Sequence, residues 1–214
     1  MQSVRTRTAV AYGLMASVLI ADQIIKFAVK TSMYLGERID VTSWFQIVFT
    51  ENKGMAFGMD FIGTFFLAAF RILAVALFLC ILHRLIRRAV PMGLVVCWAF
   101  VVAGAAGNII DNCLYGLIFS PSGNALDPMV SHTVAFGNGY GSFLEGRVVD
   151  MFYFPLFRWP DWVPLLGCGT FFGAIFNFAD AAISCGAIAL VLFYRKHLSA
   201  DNLLPERLQR WWKK

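Results

Sequence analysis

Two aspartates in apolar surroundings near the carboxyl end, Asp150 in Val-Val-Asp-Met-Phe-Tyr-Phe and Asp180 in Phe-Asn-Phe-Ala-Asp-Ala-Ala, carry the chemistry this sequence can perform. An intramembrane carboxylate costs roughly 3 kcal/mol even on the mildest insertion scale, so each implies a partner or a task. Two carboxyls that share a site cannot both ionise cheaply. One then keeps a proton while the other can take one from water, and their titrations split. That is the acid and base arrangement of an aspartic-type hydrolase.

Competing chemistries lack their residues. His83, His132 and His197 fall in one loop, a second loop and the tail, so neither a zinc cluster nor a Ser-His or Cys-His nucleophile assembles beside the two aspartates. The five cysteines, Cys80, Cys97, Cys113, Cys168 and Cys185, form no C-x-x-C pair and read as small buried hydrophobes. The reading needs no metal and no cofactor.

The elements that must position these groups follow from composition. Of 214 residues, 59% are hydrophobic and 14% charged, about half the charged fraction of a soluble domain. Apolar stretches at about 8–29, 61–86, 90–111 and 171–194 approach or exceed the roughly 20 residues a helix needs to span a bilayer. No small-x-small cleavage site follows the first run before Asp22 and Lys26, so it reads as a retained helix. Eleven Lys and Arg fall on the side of the termini and the 84–88 loop, against five in the two other loops. By the positive-inside rule both termini are cytoplasmic. The net charge of +5 is thus explained by topology and anionic lipid, with no call for nucleic acid.

The chain shows no internal repeat and no separable soluble part, so 1–214 reads as one integral-membrane domain. Its first outer loop holds the β-branched and aromatic runs Ile39-Asp40-Val41 and Trp44 to Phe49, suited to a small sheet. The second holds a Gly/Ser/Pro/Asn-rich stretch at 120–146 and closes on Trp159-Pro160-Asp161-Trp162, whose indoles suit the headgroup layer. The basic tail from Arg195 reads equally as an interfacial segment or a solvated end.

With this orientation Asp22, Lys26, Arg71, Asn108, Asp111, Asn177 and Asp180 all gather toward the outer ends of the spans. Asp22 and Lys26 are four apart in the favourable order, either a structural ion pair or a substrate contact. Asn108 with Asp111, and Asn177 with Asp180, are three apart and would share helix faces. Gly104-Ala105-Ala106-Gly107 and Gly169-x-x-x-Gly173 offer small surfaces for close helix approach. Arg71 reads as a snorkelling or neutralising cation.

These residues resemble the lipoprotein signal peptidase (signal peptidase II) family in five ordered blocks. They are Asp22-Gln23-x-x-Lys26; Thr50-x-Asn52-x-Gly54-x-Ala56-Phe57; Gly104-x-x-Gly107-Asn108-x-x-Asp111; Gly146-x-Val148-x-Asp150; and Phe176-Asn177-x-Ala179-Asp180-x-x-Ile183-x-x-Gly186. The resemblance implies an all-α membrane protein of four transmembrane helices with a small periplasmic β cradle. It implies cleavage of prolipoprotein signal peptides before a diacylglyceryl-modified cysteine, in the bacterial inner membrane with the site facing the periplasm. It makes Asp150 and Asp180 the catalytic pair, with Asn52, Gly54, Asn108, Asp111 and Asn177 supporting pocket and substrate, and cyclic peptides of the globomycin type as inhibitors. The chain departs from the pattern at Asn112, where Arg is usual, at Met55, where Ala is usual, and in the extra stretch 120–145, which resembles that of Bacteroidetes-type members. Arg147 and Arg71 are the candidates for the missing cation. A small proton-coupled transporter using the same acids as a relay is the alternative, disfavoured by the lack of paired broken helices.

Overall fold

A computed structural model describes residues 3–52, 64–88, 90–160, 162 and 169–198. Gly54 with the rest of its block from Lys53 to Phe57, Cys168 and the basic tail from residue 199 lie outside these described residues.

In a bilayer core every backbone N–H and C=O must be satisfied within the segment, which leaves an apolar run of this length little choice but helix. The helices are α1 (Val4–Lys30), α2 (Thr64–Arg87), α3 (Met92–Ile110), the one-turn α4 (Gly116–Ile118) and α5 (Phe178–Tyr194). A π turn at Asp111–Tyr115 joins α3 to α4. Among the described residues, four stretches are long and apolar enough to cross a membrane: Val4–Lys30, Ala68–Arg87, Met92–Ile118 and Phe178–His197. The strands are β1 (Arg38–Asp40), β2 (Gln46–Asn52), β3 (Val148–Tyr153), β4 (Phe157–Arg158), β5 (Thr170–Phe171) and β6 (Ile175–Phe176). Four apolar helices with a small antiparallel sheet are therefore the fold class expected above.

Two compact units can be described separately. The first comprises Met1–Ala21, Ala69–Gly107 and Ala179–Lys214. Ser3 caps α1 by accepting the Thr6 N–H on its hydroxyl, which satisfies one of the helix's orphan donors. The Arg7 guanidinium donates to the carbonyls of Arg88 and Val90 beyond the end of α2, a favourable place for a cation beside unsatisfied carbonyls. Gly104 lets α3 and α5 approach: a Cβ there would lie 2.2 Å from the Ala179 carbonyl oxygen, well inside contact distance.

The second unit comprises Asp22–Ala68 and Asn108–Phe178 and holds both sheets. The larger sheet runs β1-β2-β3-β6, antiparallel throughout, and β4 pairs with β5. Opposite β3, strand β2 carries a bulge between Ile47 and Thr50, and register resumes with Thr50 facing Asp150, Glu51 facing Val149 and Asn52 facing Val148. Val149 and Met151 turn into a core with Val29, Met33, Phe49, Tyr115 and Phe119. Side chains alternate across a strand, so Asp150 and Asn52 occupy the opposite face of the sheet from that core.

Three features differ from the sequence reading. Phe171 is not the head of a span, because β5, a turn with Phe172 at φ 60° and β6 precede α5. The Gly169-x-x-x-Gly173 spacing consequently lies in strand and turn, and Gly186 supplies a close approach instead, its would-be Cβ 2.7 Å from the Cys97 carbonyl oxygen. The third span continues past Asp111 through the π turn to Ile118. Such turns inside helices often mark functional positions.

Candidate active site

Asp150 sits in the middle of β3 and is nearly fully buried. Its Oδ1 accepts a hydrogen bond of 2.6 Å from Asn177 Nδ2, which also donates to Asn108 Oδ1 at 3.1 Å. Lys26 Nζ donates to that same Asn108 oxygen at 2.8 Å. The Asn108 oxygen is thus a junction: the ammonium fixes the amide, and the amide in turn aims the Asn177 N–H at the carboxylate.

Lys26 is held from its other side by two acids, Asp22 Oδ2 at 3.0 Å and Asp111 Oδ2 at 2.8 Å, with all three side chains at most 1% exposed. Gln23 closes the network by donating to Asp22 and Asp111, and it accepts from the Tyr115 hydroxyl. Asp111 Oδ2 also accepts the Val149 N–H at 3.3 Å, one residue before Asp150. The π turn explains how Asp111 reaches the strand. It brings Asp111 and Asn112 both into buried positions at the foot of α3.

The second unit therefore brings together Asp22, Lys26, Asn108, Asp111, Asn177 and Asp150. Asn52 is exposed at the end of β2, across from Val148. Arg71, in α2, and Asp180, half-buried in the first turn of α5, belong to the first unit. A helix N-terminus favours a carboxylate such as that of Asp180. Asn177 precedes α5 by one residue, so it does not share a helix face with Asp180 as its spacing suggested.

Glu51, Lys30 and Ser122, outside the expected set, form a second cluster together with Arg147. Glu51 accepts from Lys30 Nζ at 2.5 Å, Ser122 Oγ at 2.9 Å and Arg147 Nη1 at 3.0 Å. Burial alone would raise the Glu51 carboxyl, but the Lys30 charge and the donated hydrogen bonds carry it below the ordinary glutamate value. Burial pushes the Tyr140 phenol up, so it stays a hydroxyl. Arg147, one candidate for the missing cation, is thereby engaged with Glu51, and Asn112 engages Gly146. Its side-chain amide donates to the Gly146 carbonyl at 2.7 Å while its backbone carbonyl accepts the Gly146 N–H. One signal pointed to this cluster: Lys30 follows Lys26 by four residues, so two lysines share a face of an apolar helix.

A family model described as signal peptidase (SPase) II matches residues 14–195. The lipoprotein signal peptidase of Porphyromonas gingivalis is 42% identical over 206 residues, covering 92% of this chain and 89% of that protein. That of Amoebophilus asiaticus is 32% identical over 191 residues, covering 85% of this chain and 75% of that protein. A solved structure described as a bacterial membrane enzyme shares the fold, with a TM-score of 0.58 at 22% identity over 86% of this chain and 91% of that one.

Proposed function

Because the chain belongs to the signal peptidase II family of aspartic peptidases, which processes prolipoprotein signal peptides, we propose that it cuts diacylglyceryl-modified prolipoproteins just before the lipidated cysteine. Asp150 and Asp180 are the catalytic pair. One carboxylate takes a proton from the attacking water, and the other, protonated, gives one to the carbonyl or the leaving amine. Asp22, Lys26, Asn52, Gly54, Arg71, Asn108, Asp111 and Asn177 support the site or the substrate, and the whole chain acts as one peptidase domain. The observation that carries the reading is the anchoring of Asp150: a buried carboxylate on a strand, aimed through Asn177 and Asn108 by a buried ammonium. The transporter alternative is set aside, since the family match runs through the same residues.

The protein is multi-pass, with four membrane-capable helices among the described residues. In the proposed topology it lies in the bacterial inner membrane with both termini cytoplasmic, on the strength of eleven basic residues against five. Reporter fusions at Asn124 should read as periplasmic. A cytoplasmic reading there would reverse the orientation.

The substrate's lipid is expected to matter greatly. Each CH₂ contributes about 0.8 kcal/mol on leaving water, but most of that gain is already made in the bilayer. The anchor therefore acts chiefly by concentrating and orienting the scissile bond. Lipidated and unlipidated prolipoprotein peptides compared at equal concentration in lipid-containing micelles should differ by at least about a hundredfold in rate, and a globomycin-type cyclic peptide should compete. Equal rates would return the protein to a protease of unassigned substrate.

A further inference from the structure

The extra stretch 120–145 reaches the strand that carries Asp150. It lies along the end of the α3 to α4 segment by backbone hydrogen bonds, Val134 N–H to Ile118, Gly137 N–H to Leu117, Tyr140 N–H to Phe119 and Gly141 N–H to Gly116. It also ties to the first loop where Leu35 donates to Gly123. Two of its side chains enter the buried ion cluster. Ser122 donates to Glu51, and the Tyr140 ring lies 4.9 Å from the Lys30 ammonium and 5.3 Å from the Arg147 guanidinium. The Tyr140 hydroxyl accepts the Arg147 backbone N–H at 2.8 Å.

These bonds converge on the few residues that lead into Asp150. Gly146 is held by Asn112 from both its N–H and its carbonyl, so tightly that a Cβ would lie 2.0 Å from the Asp111 carbonyl oxygen. Arg147 is held through its backbone by Tyr140 and through its side chain by Glu51. Val149 is held by Asp111. Glu51 itself lies across from Val149 on the face opposite Asp150, so the cluster acts from behind the strand.

We propose that residues 120–145 are a brace for the catalytic strand, and that Glu51 and Tyr140 are positioning residues that hold Asp150 through Arg147. This rests on Asp150 being catalytic. The charge arrangement makes Glu51 the keystone. Two cations, Lys30 with no exposed side chain and Arg147 with 38% exposed, share the single Glu51 carboxylate. Neutralising it leaves the two facing each other, and the more exposed Arg147 is the one free to swing away. The strand head then loses its side-chain anchor. Tyr140→Phe is the milder change: it keeps the ring beside both cations and removes only the acceptor for the Arg147 N–H.

The test is steady-state cleavage of a lipidated prolipoprotein peptide by the full chain in lipid-containing micelles, with thermal unfolding recorded for every variant. A carboxylate displaced by a fraction of an ångström loses rate without losing binding. Glu51→Gln should therefore lower kcat at least about tenfold with KM within about threefold, and Tyr140→Phe should lower kcat about threefold at unchanged Tm. Arg147→Lys, which can still reach a carboxylate, should keep more of kcat than Arg147→Met. If Glu51→Gln unfolds, Tyr140→Phe and the Arg147 pair decide alone. Folded variants with unchanged kcat would overturn the brace, as would a loss confined to KM, which would mark substrate contact instead. Asp150→Asn run alongside separates the two readings. If it is inactive while the Glu51 and Tyr140 variants are normal, only the brace fails; if it is active, the catalytic assignment fails first.

Discussion

Replacing Asp150 or Asp180 by Asn is expected to lower kcat between about a hundredfold and ten-thousandfold, the range spanned by positioned acid and base groups. The fold should survive both changes, for reasons that differ. Asn at 150 keeps a carbonyl oxygen where Asp150 Oδ1 accepts the Asn177 N–H, so the strand retains its partner. At 180 the most that can be lost is the attraction of an ionised side chain to the first turn of α5, at most about 1 kcal/mol, which is small against a rate loss of that size. The check is kcat on the lipidated peptide together with Tm for each variant. Either variant turning over within about tenfold of the parent while folded would make that aspartate structural, since shape alone would then suffice.

What could be read before folding was whatever is written locally. The spans announce themselves by apolar length, and Asp22 with Lys26 by their spacing on one helix face. Asn108 and Asp111 were legible as a pair because both lie at the end of one helical run. The Glu51 cluster was not, beyond the hint of a second lysine at Lys30, because its partners Lys30 and Arg147 lie 21 and 96 positions away along the chain, and nothing in a single sequence pairs a lysine on a helix with a glutamate on a strand beyond a loop. The head of the last span failed for a related reason. Phe171 to Phe176 is as apolar as the helix it precedes, and the break is made by Phe172 at a positive φ, a conformation that sequence reasoning reserves for Gly or Asn. The spacing of Asn177 and Asp180 implies a shared helix face, whereas the position of Asn177 just before α5 leaves its amide to bridge Asn108 and Asp150.

Lys26→Met should destabilise the protein more than any other single change at the site. Methionine keeps the volume and flexibility of the lysine stem, so the effect isolates the charge. The ammonium is fully buried and faces Asp22 at 3.0 Å and Asp111 at 2.8 Å. Without it two carboxylates are left together out of water, and breaking a buried pair in this way costs about 3–5 kcal/mol. For a chain of this length that corresponds to a fall in Tm of roughly 10 °C. Activity should fall with it even below the transition, because Asn108 loses the donor that orients its amide and Asn177 loses its fixed aim at Asp150. The double variant Lys26→Met/Asp111→Asn separates the two effects. Removing one of the stranded charges should return part of the lost Tm, while turnover stays low because the Asn108 junction is still unheld. Thermal unfolding in detergent followed by tryptophan fluorescence reads the first effect and peptide cleavage the second. An unchanged Tm in Lys26→Met would mean that the two acids are relieved by other partners, and recovery of turnover in the double variant would remove Lys26 from the chain of contacts that aims Asp150.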